Sequence, residues 1–340
     1  MSTEKMRAIL IKDGKGPVEN LYIGETATPV VKSQEVLVKI TAFSLNRMDV
    51  SQREGLYPVP QDAPEILGVE FAGHITALGP DTSATWTVGD QVLGLASGGA
   101  YAEFITVPET QILRKPPQLS WVEAASIPEA FVTAFQALVL VGDIKRGDDV
   151  LVHAAASGVG IAAIQLARFY GARTITATAS TPNKLDWLLS LPAGATHAAN
   201  YKKENFVDVT NIATGGKGVD LIVDMVGQSH FSRNLDALAT DGRITMLSLM
   251  SGSEVASLDL RPILMKRLRI QGSTLRSQSK EYKAEVFRRF GELLGFITGS
   301  EGNGPIRTYV HKVYPWTEIR EATRVMEADQ NIGKIVIEVI

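Results

Sequence analysis

Hydrophobic and polar positions follow two rhythms along this chain. Over residues 1 to about 128 the apolar residues come in short alternating runs broken by turn residues: EVLVKITAF from Glu35, GHITALGP from Gly73 and VGDQVLG from Val88. Period-two alternation punctuated by Gly and Asp predicts short, half-buried strands and a β-rich, barrel-like domain. From about residue 130, apolar runs alternate with helical patterns. Strands are predicted over 150–153, 174–178, 221–225, 243–249 and 269–272, with helices over 160–170, 184–191 and 231–239. Such a series implies a parallel sheet with helices on both faces, the doubly wound α/β class. Beyond Gly272, helical patterns near 280–296 and 316–328 lead to the continuous apolar run KIVIEVI, read as a buried strand folding back onto the first domain. The expected division is a discontinuous domain of residues 1–129 and 274–340, and a second domain of residues 130–273.

At 340 residues the chain is longer than one core usually serves, which agrees with two domains. Its 34 basic and 37 acidic residues leave a net charge of −3, so no basic surplus points to nucleic acid or an anionic membrane. The opening MSTEKMRAILIKDGKG, charged at Glu4, Lys5 and Arg7, reads as neither signal nor transit peptide. The longest apolar runs, such as 137–141, fall short of the ~20 residues that span a bilayer. A soluble, cytoplasmic protein is expected. Cysteine is absent, which removes disulfides, thiolate catalysis and Cys-containing zinc sites. The five histidines, at 74, 153, 197, 230 and 311, show no HxH or HxxxH spacing, and no G-x-S-x-G elbow occurs. No metal site is expected.

The stretch VHAAASGVGIAAIQLAR from Val152 puts small residues between a predicted strand and a predicted helix. Two registers fit: G-x-G-x-x-A through Gly158, Gly160 and Ala163, and A-x-S-x-x-G through Ala155, Ser157 and Gly160. In either, the backbone turns sharply and a pyrophosphate can approach the N–H groups and positive dipole end of the helix. Ile-Ala-Ala follows Gly160 instead of a Walker lysine, which disfavours ATP and GTP. NAD sites place an Asp or Glu about 20 residues downstream, on the ribose 2′-hydroxyl. Here TATASTPNKLDW from Thr176 holds no carboxylate before Asp186, and offers Ser180, Thr181 and Lys184 instead. That set suits a 2′-phosphate, so NADPH is the expected cofactor. The plainer reading of Lys184 is a solvated residue at a helix start.

Together with that turn, LNRMDVSQREGLYPVP from Leu45, LGVEFAGHITALG from Leu67, GGAYAEFITVP from Gly98, AASIPEAFVTAFQAL from Ala124, NYKKENF from Asn200 and NIGKIVIE from Asn331 resemble the medium-chain dehydrogenase/reductase superfamily. The resemblance covers nearly the whole length and falls in the zinc-free quinone oxidoreductase branch, with zeta-crystallin and the stress-inducible NADPH:quinone oxidoreductases. It implies a GroES-like barrel plus a Rossmann domain, with the cofactor in the cleft between them, and homodimers joined through the Rossmann edge strand near 267–273. Zinc-dependent relatives carry G-H-E where this chain has Gly68-Val69-Glu70, so the histidine ligand is missing.

The resemblance places Ser157, Gly158, Val159 and Gly160 at the pyrophosphate, and Ser180, Lys184 and Tyr201 around the 2′-phosphate. It lines the path from adenosine to nicotinamide with Val226, Gly227, Leu247, Ser248, Leu249 and Met250. Gly272, Ser273, Thr274, Leu275 and Asn331 close over the nicotinamide half, and Asn46, Tyr57 and Thr133 face nicotinamide and substrate. Each has a duller alternative: Ser157 a helix cap, Asn46 a turn residue, Leu247–Met250 strand core, Thr133 a cap or packing residue, Tyr201 a loop cap. Pro182-Asn183 stands where close relatives are richer in Lys, which points to weaker 2′-phosphate binding.

The implied chemistry is direct hydride transfer from NADPH to a quinone, without metal or flavin. Tyr57 or Thr133 would donate a hydrogen bond to the developing oxyanion. Two alternatives stay open: an alkenal or enoyl reductase on the same fold, and a non-enzymatic NADPH-binding structural or RNA-binding protein, the latter disfavoured by the net charge.

Overall fold

Apolar, largely β-branched runs such as DVLV and VDLIVD build a six-stranded sheet in the second half of the chain. Its strands are β1 (Asp149–Val152), β2 (Thr174–Ala179), β3 (His197–Asn200), β4 (Val219–Asp224), β5 (Leu238–Met246) and β6 (Arg269–Gly272). The order is β3-β2-β1-β4-β5-β6 and every pairing is parallel. The connecting helices are α1 (Gly158–Phe169), α2 (Pro182–Ser190), α3 (Phe206–Thr214), α4 (Gln228–Ala237) and α5 (Arg261–Met265). The expected doubly wound α/β class is therefore what the chain adopts. Strand order reverses between β1 and β4, so the crevice for a ligand opens at their carboxyl ends. The computed structural model describes residues 4–61, 63–299 and 301–340.

Two boundaries differ from the sequence pattern for physical reasons. The unit β3–α3 was not expected, because HAAN is short and lacks β-branched residues, so it carries no strand signal. Strand β5 runs earlier than 243–249. It passes through Asp241, whose φ is 63°, and leaves the sheet after Met246, where the Leu247 N–H donates to Asp224 O at 2.7 Å. Buried Leu151, Ile222, Leu235, Ile244 and Phe206 form a core on one face of this sheet.

The chain forms two compact units, Thr133–Thr274 and Met1–Val132 with Leu275–Ile340. In the second of these, the strand Glu35–Ser44 pairs antiparallel with Glu70–Leu78, Phe104–Pro108 and Lys334–Glu338. Lys334–Glu338 thus lies inside a seven-stranded sheet, with Val310–Pro315 on its other side in parallel. Val36, Val38, Phe43, Phe71, Trp316, Ile335 and Ile337 fill its core. Among the described residues no helix is long and apolar enough to cross a membrane.

Candidate functional site

The turn after β1 is built by small residues because the helix that follows lies against it. Ala154 takes a positive φ of 45°. A Cβ at Gly160 would lie 2.6 Å from both Ala154 O and Ala155 Cα, so only glycine lets α1 start this close to the turn. That is the role of the last glycine of the fingerprint, and it selects the register Ala155-x-Ser157-x-x-Gly160. Ser157 caps α1, its hydroxyl accepting from the Gly160 N–H at 3.0 Å. The first helical bond runs from Ile161 N to Ser157 O, which leaves the Gly158 and Val159 N–H groups at the open, partly exposed end of the helix.

Across the switch point, the loop after β4 is tied to the loop after β5. Met250 N donates to Met225 O and Ser251 N to Val226 O. Gly227 has a φ of 79°, and a Cβ there would meet the Leu249 side chain at 2.9 Å. Residues 247–250 lie outside the sheet: Ser248, Leu249 and Met250 are exposed and Leu247 half-buried. They are therefore a loop wall and not strand core. Ser157 Oγ lies 3.9 Å from Met225 Sδ, so the turns after β1 and β4 meet.

A buried polar network holds these turns from below. Asp224 accepts from the Val226 and Gly227 N–H groups at 2.7 and 3.2 Å and from Asn234 Nδ2 at 3.1 Å. Asn234 Oδ1 in turn faces His153 Nε2 at 2.7 Å, and His153 Nδ1 faces Thr178 Oγ1 at 2.9 Å. Asn234 thus offers its oxygen to the ring, which assigns the proton to Nε2 of a neutral imidazole. Burial lowers the His153 pKa to about 4 and that of His230 to about 4, while burial raises that of Asp224. Tyr201 packs edge-on to His230, ring centroids 5.3 Å apart. None of this network announces itself in sequence, because its members are single polar residues spread from 153 to 234.

At the tip of β2, Ser180 and Lys184 are half-buried and Thr181 exposed; Asp186 is exposed one turn further along α2. The small-residue cradle with its open helix start fits a pyridine dinucleotide. At the end of β6, Gly272 is exposed and Ser273 buried with its N–H on Met246 O. Thr274 O accepts from Gln136 Nε2 at 3.1 Å. Thr133 lies in the helix Pro128–Phe135.

In the other unit Leu275 is buried, and Asn331 Nδ2 closes its own turn onto Gly333 O at 2.7 Å. Asn46 precedes the helix Arg47–Arg53. Its Nδ2 donates to Glu70 Oε1 at 2.9 Å and its Oδ1 accepts from Lys334 Nζ at 2.7 Å. Lys334 also pairs with Glu70 at 2.6 Å. Both polar atoms of the Asn46 side chain are thus engaged in a tie between three segments. Tyr57 is half-buried, its ring 5.3 Å from the Arg276 guanidinium carbon, and burial raises its phenol pKa. Sequence reasoning missed Arg276, Lys283 and the Glu70–Lys334 pair, and read Asp49 only as a turn residue. A charged residue beside apolar neighbours, as in TLRS and EYKAEV, was the available signal. Val69, at the position of the expected missing histidine, is buried. Among the described residues no three His, Asp or Glu side chains converge as a ligand set.

Comparisons with known proteins agree on one family. The model for the alcohol dehydrogenase GroES-like domain matches residues 32–117, and that for zinc-binding dehydrogenase matches residues 158–291. The chain is 29% identical to a quinone oxidoreductase of Homo sapiens, over 98% of this chain and 97% of that one. Among solved structures, an NAD-dependent alcohol dehydrogenase is 31% identical with a TM-score of 0.82, covering 98% of this chain and 100% of its own. The CurK enoyl reductase is 29% identical with a TM-score of 0.83, covering 98% and 99%.

Proposed function

The chain belongs to the medium-chain dehydrogenase/reductase superfamily, and from that premise we propose that it is an NADPH-dependent quinone oxidoreductase that works without zinc. The observation that carries the cofactor choice is the β2 tip: Ser180, Thr181 and Lys184 stand there, and no carboxylate occurs between Thr174 and Leu185. A carboxylate there would repel a 2′-phosphate, whereas a cation and hydroxyls attract it. Near-full-length similarity to a protein named quinone oxidoreductase supports the acceptor class.

In this reading the reduced nicotinamide supplies the hydride. The Gly158 and Val159 N–H groups bind the pyrophosphate at the start of α1, and Ser157 and Gly160 shape the turn that presents them. Ser180 and Lys184 bind the 2′-phosphate, with Tyr201 beside them. Val226, Gly227 and the loop 247–250 bind the central part of the dinucleotide, and Gly272, Ser273, Thr274, Leu275 and Asn331 its nicotinamide half. Residues 130–273 thus serve as the cofactor-binding domain, and 1–129 with 274–340 as the catalytic one. Tyr57, its phenol kept protonated by a raised pKa, donates a hydrogen bond to the acceptor oxygen, and Thr133 offers a second hydroxyl. Asn46 positions this region through Glu70 and Lys334. The protein acts as a homodimer in the cytoplasm, joined along the exposed edge strand β6 near 267–273.

Reduction of a conjugated carbon–carbon bond is the second reading, favoured by the similarity to an enoyl reductase. One assay separates them: purified, chelator-treated protein given an ortho-quinone or a conjugated alkenal, with NADPH or NADH. Quinone turnover that survives chelation and prefers NADPH is expected. Alkenal turnover alone would move the chemistry to carbon, and a preference for NADH would overturn the role of Lys184. Lys184→Asp is expected to weaken NADPH binding roughly tenfold or more while sparing NADH, read by nicotinamide fluorescence titration.

A further inference from the structure

Two buried cations in the unit formed by residues 1–132 and 275–340 are not matched by ion pairs. Arg276 is 7% exposed and Lys283, on the helix Lys280–Leu294, is 6% exposed. The Arg276 Nε donates to Ser97 O at 2.8 Å, and among the described residues the buried Nη1 and Nη2 make no hydrogen bond of good geometry, the Tyr57 hydroxyl being their nearest polar partner. Among the described residues, Lys283 Nζ reaches only the Ser97 hydroxyl, at 3.3 Å. Among the described residues no carboxylate comes within ion-pair distance of either. A guanidinium and an ammonium placed together away from water are costly unless an anion completes them.

Both cations line one cavity together with Glu129, walled by Val69, Leu95, Ala96 and Gln111, and its free space is about that of a single water. Glu129 and Asp49 also face Arg276, and each offsets part of its charge. Asp49 is buried against the Tyr101 hydroxyl, which donates to it at 3.0 Å, and burial raises its pKa to about 6. Burial lowers the Lys283 pKa, and the positive charges of Arg276 and Lys280 add to the shift. The Tyr57 ring under the guanidinium gives the cavity an aromatic neighbour. The space admits one oxygen atom of an anionic group, with the rest of that group outside the cavity.

We propose that Arg276 and Lys283 form a receptor for an anionic oxygen group on the substrate, so that the acceptor is a conjugated carbonyl compound bearing a carboxylate. The substrate class rests on the oxidoreductase reading above, whereas the anion receptor does not.

The test uses the full chain in two arms. In the first, benzoate serves as a carboxylate probe and its binding is followed by thermal shift and titration. Benzoate is expected to raise the melting temperature of the wild type. Arg276→Gln and Lys283→Met are expected to lose that shift and Lys283→Arg to keep it. Lys283→Met removes an unpaired buried charge, so it is expected to fold, as circular dichroism will show. In the second arm, a naphthoquinone with a carboxylate side chain is compared with its methyl ester. The wild type is expected to favour the acid by roughly tenfold or more in kcat/KM, and the ratio is expected to fall toward one in both neutral variants. An unchanged acid-to-ester ratio, or equal benzoate affinity in wild type and folded variants, overturns the receptor. Chloride binding without benzoate binding overturns it as a substrate site. Loss of all quinone turnover with benzoate binding intact overturns the quinone reading and leaves the receptor standing.

Discussion

A single methyl group at position 160 would lie 2.6 Å from Ala154 O, and neither backbone can yield without moving β1 or α1. Gly160→Ala is therefore expected to cost about 1–3 kcal/mol of stability, read by urea unfolding, and to weaken dinucleotide binding more than quinone binding. Unchanged stability would mean that the turn has slack the geometry does not show. His153 and His230 make a second prediction at this scale. Each has a pKa of about 4 when folded, against an ordinary value of 6.5. Between those limits the unfolded chain binds a proton that the folded one refuses, so stability falls as pH drops from 6.5 toward 4. The slope is about 1.4 kcal/mol per pH unit for each histidine. Asp49 opposes it in the other unit: its carboxyl, raised from 3.8 to about 6, keeps a proton that the unfolded chain loses. His230→Gln is thus expected to flatten unfolding free energy against pH over 4–6, and Asp49→Asn to steepen it. Parallel curves for all three proteins would sink the assignment.

Among the elements, β6 and α5 differ from the rest in exposure. Among the described residues strand β6 pairs only with β5, and near it Leu260, Leu264 and Met265 are 63%, 77% and 74% exposed. An apolar helix beside an unpaired edge strand is what a partner chain would cover. If the proposed dimer forms there, Leu264→Asp with Met265→Asp is expected to halve the sedimenting mass. The same change should alter subunit stability by only about 0.5 kcal/mol, because neither side chain is buried in the subunit. A dimer that survives both changes would place the contact elsewhere. The patterns of α1, α2 and α4 were legible because 3.6-residue periodicity is local; HAAN was not, since a half-buried four-residue strand is too short to show a periodicity.

At the scale of the molecule, the last strand enters a sheet begun some 300 residues earlier: Val336 pairs with Ser44, and the Lys334 ammonium reaches Leu45 O, Asn46 and Glu70. Truncation after residue 330 would open that sheet between Val310–Pro315 and Glu35–Ser44 and leave Glu70 buried without its cation. It is expected to abolish cooperative melting of this unit in calorimetry while the parallel-sheet unit still melts. Cooperative melting of both units would show the strand to be dispensable.

What the sequence determined by itself was whatever depends on neighbours along the chain. Apolar periodicity set the doubly wound sheet, small residues between β1 and α1 marked a tight turn, and the missing carboxylate after β2 bears on the proposed choice of dinucleotide. Only the tertiary structure decided which register of that turn is used, that residues 247–250 leave the sheet, and that Asn46 is held by Glu70 and Lys334. It also brought Arg276 and Lys283 to one cavity. Each of these depends on close approach between segments far apart in sequence, where the distances that decide hydrogen bonding and burial leave no local pattern.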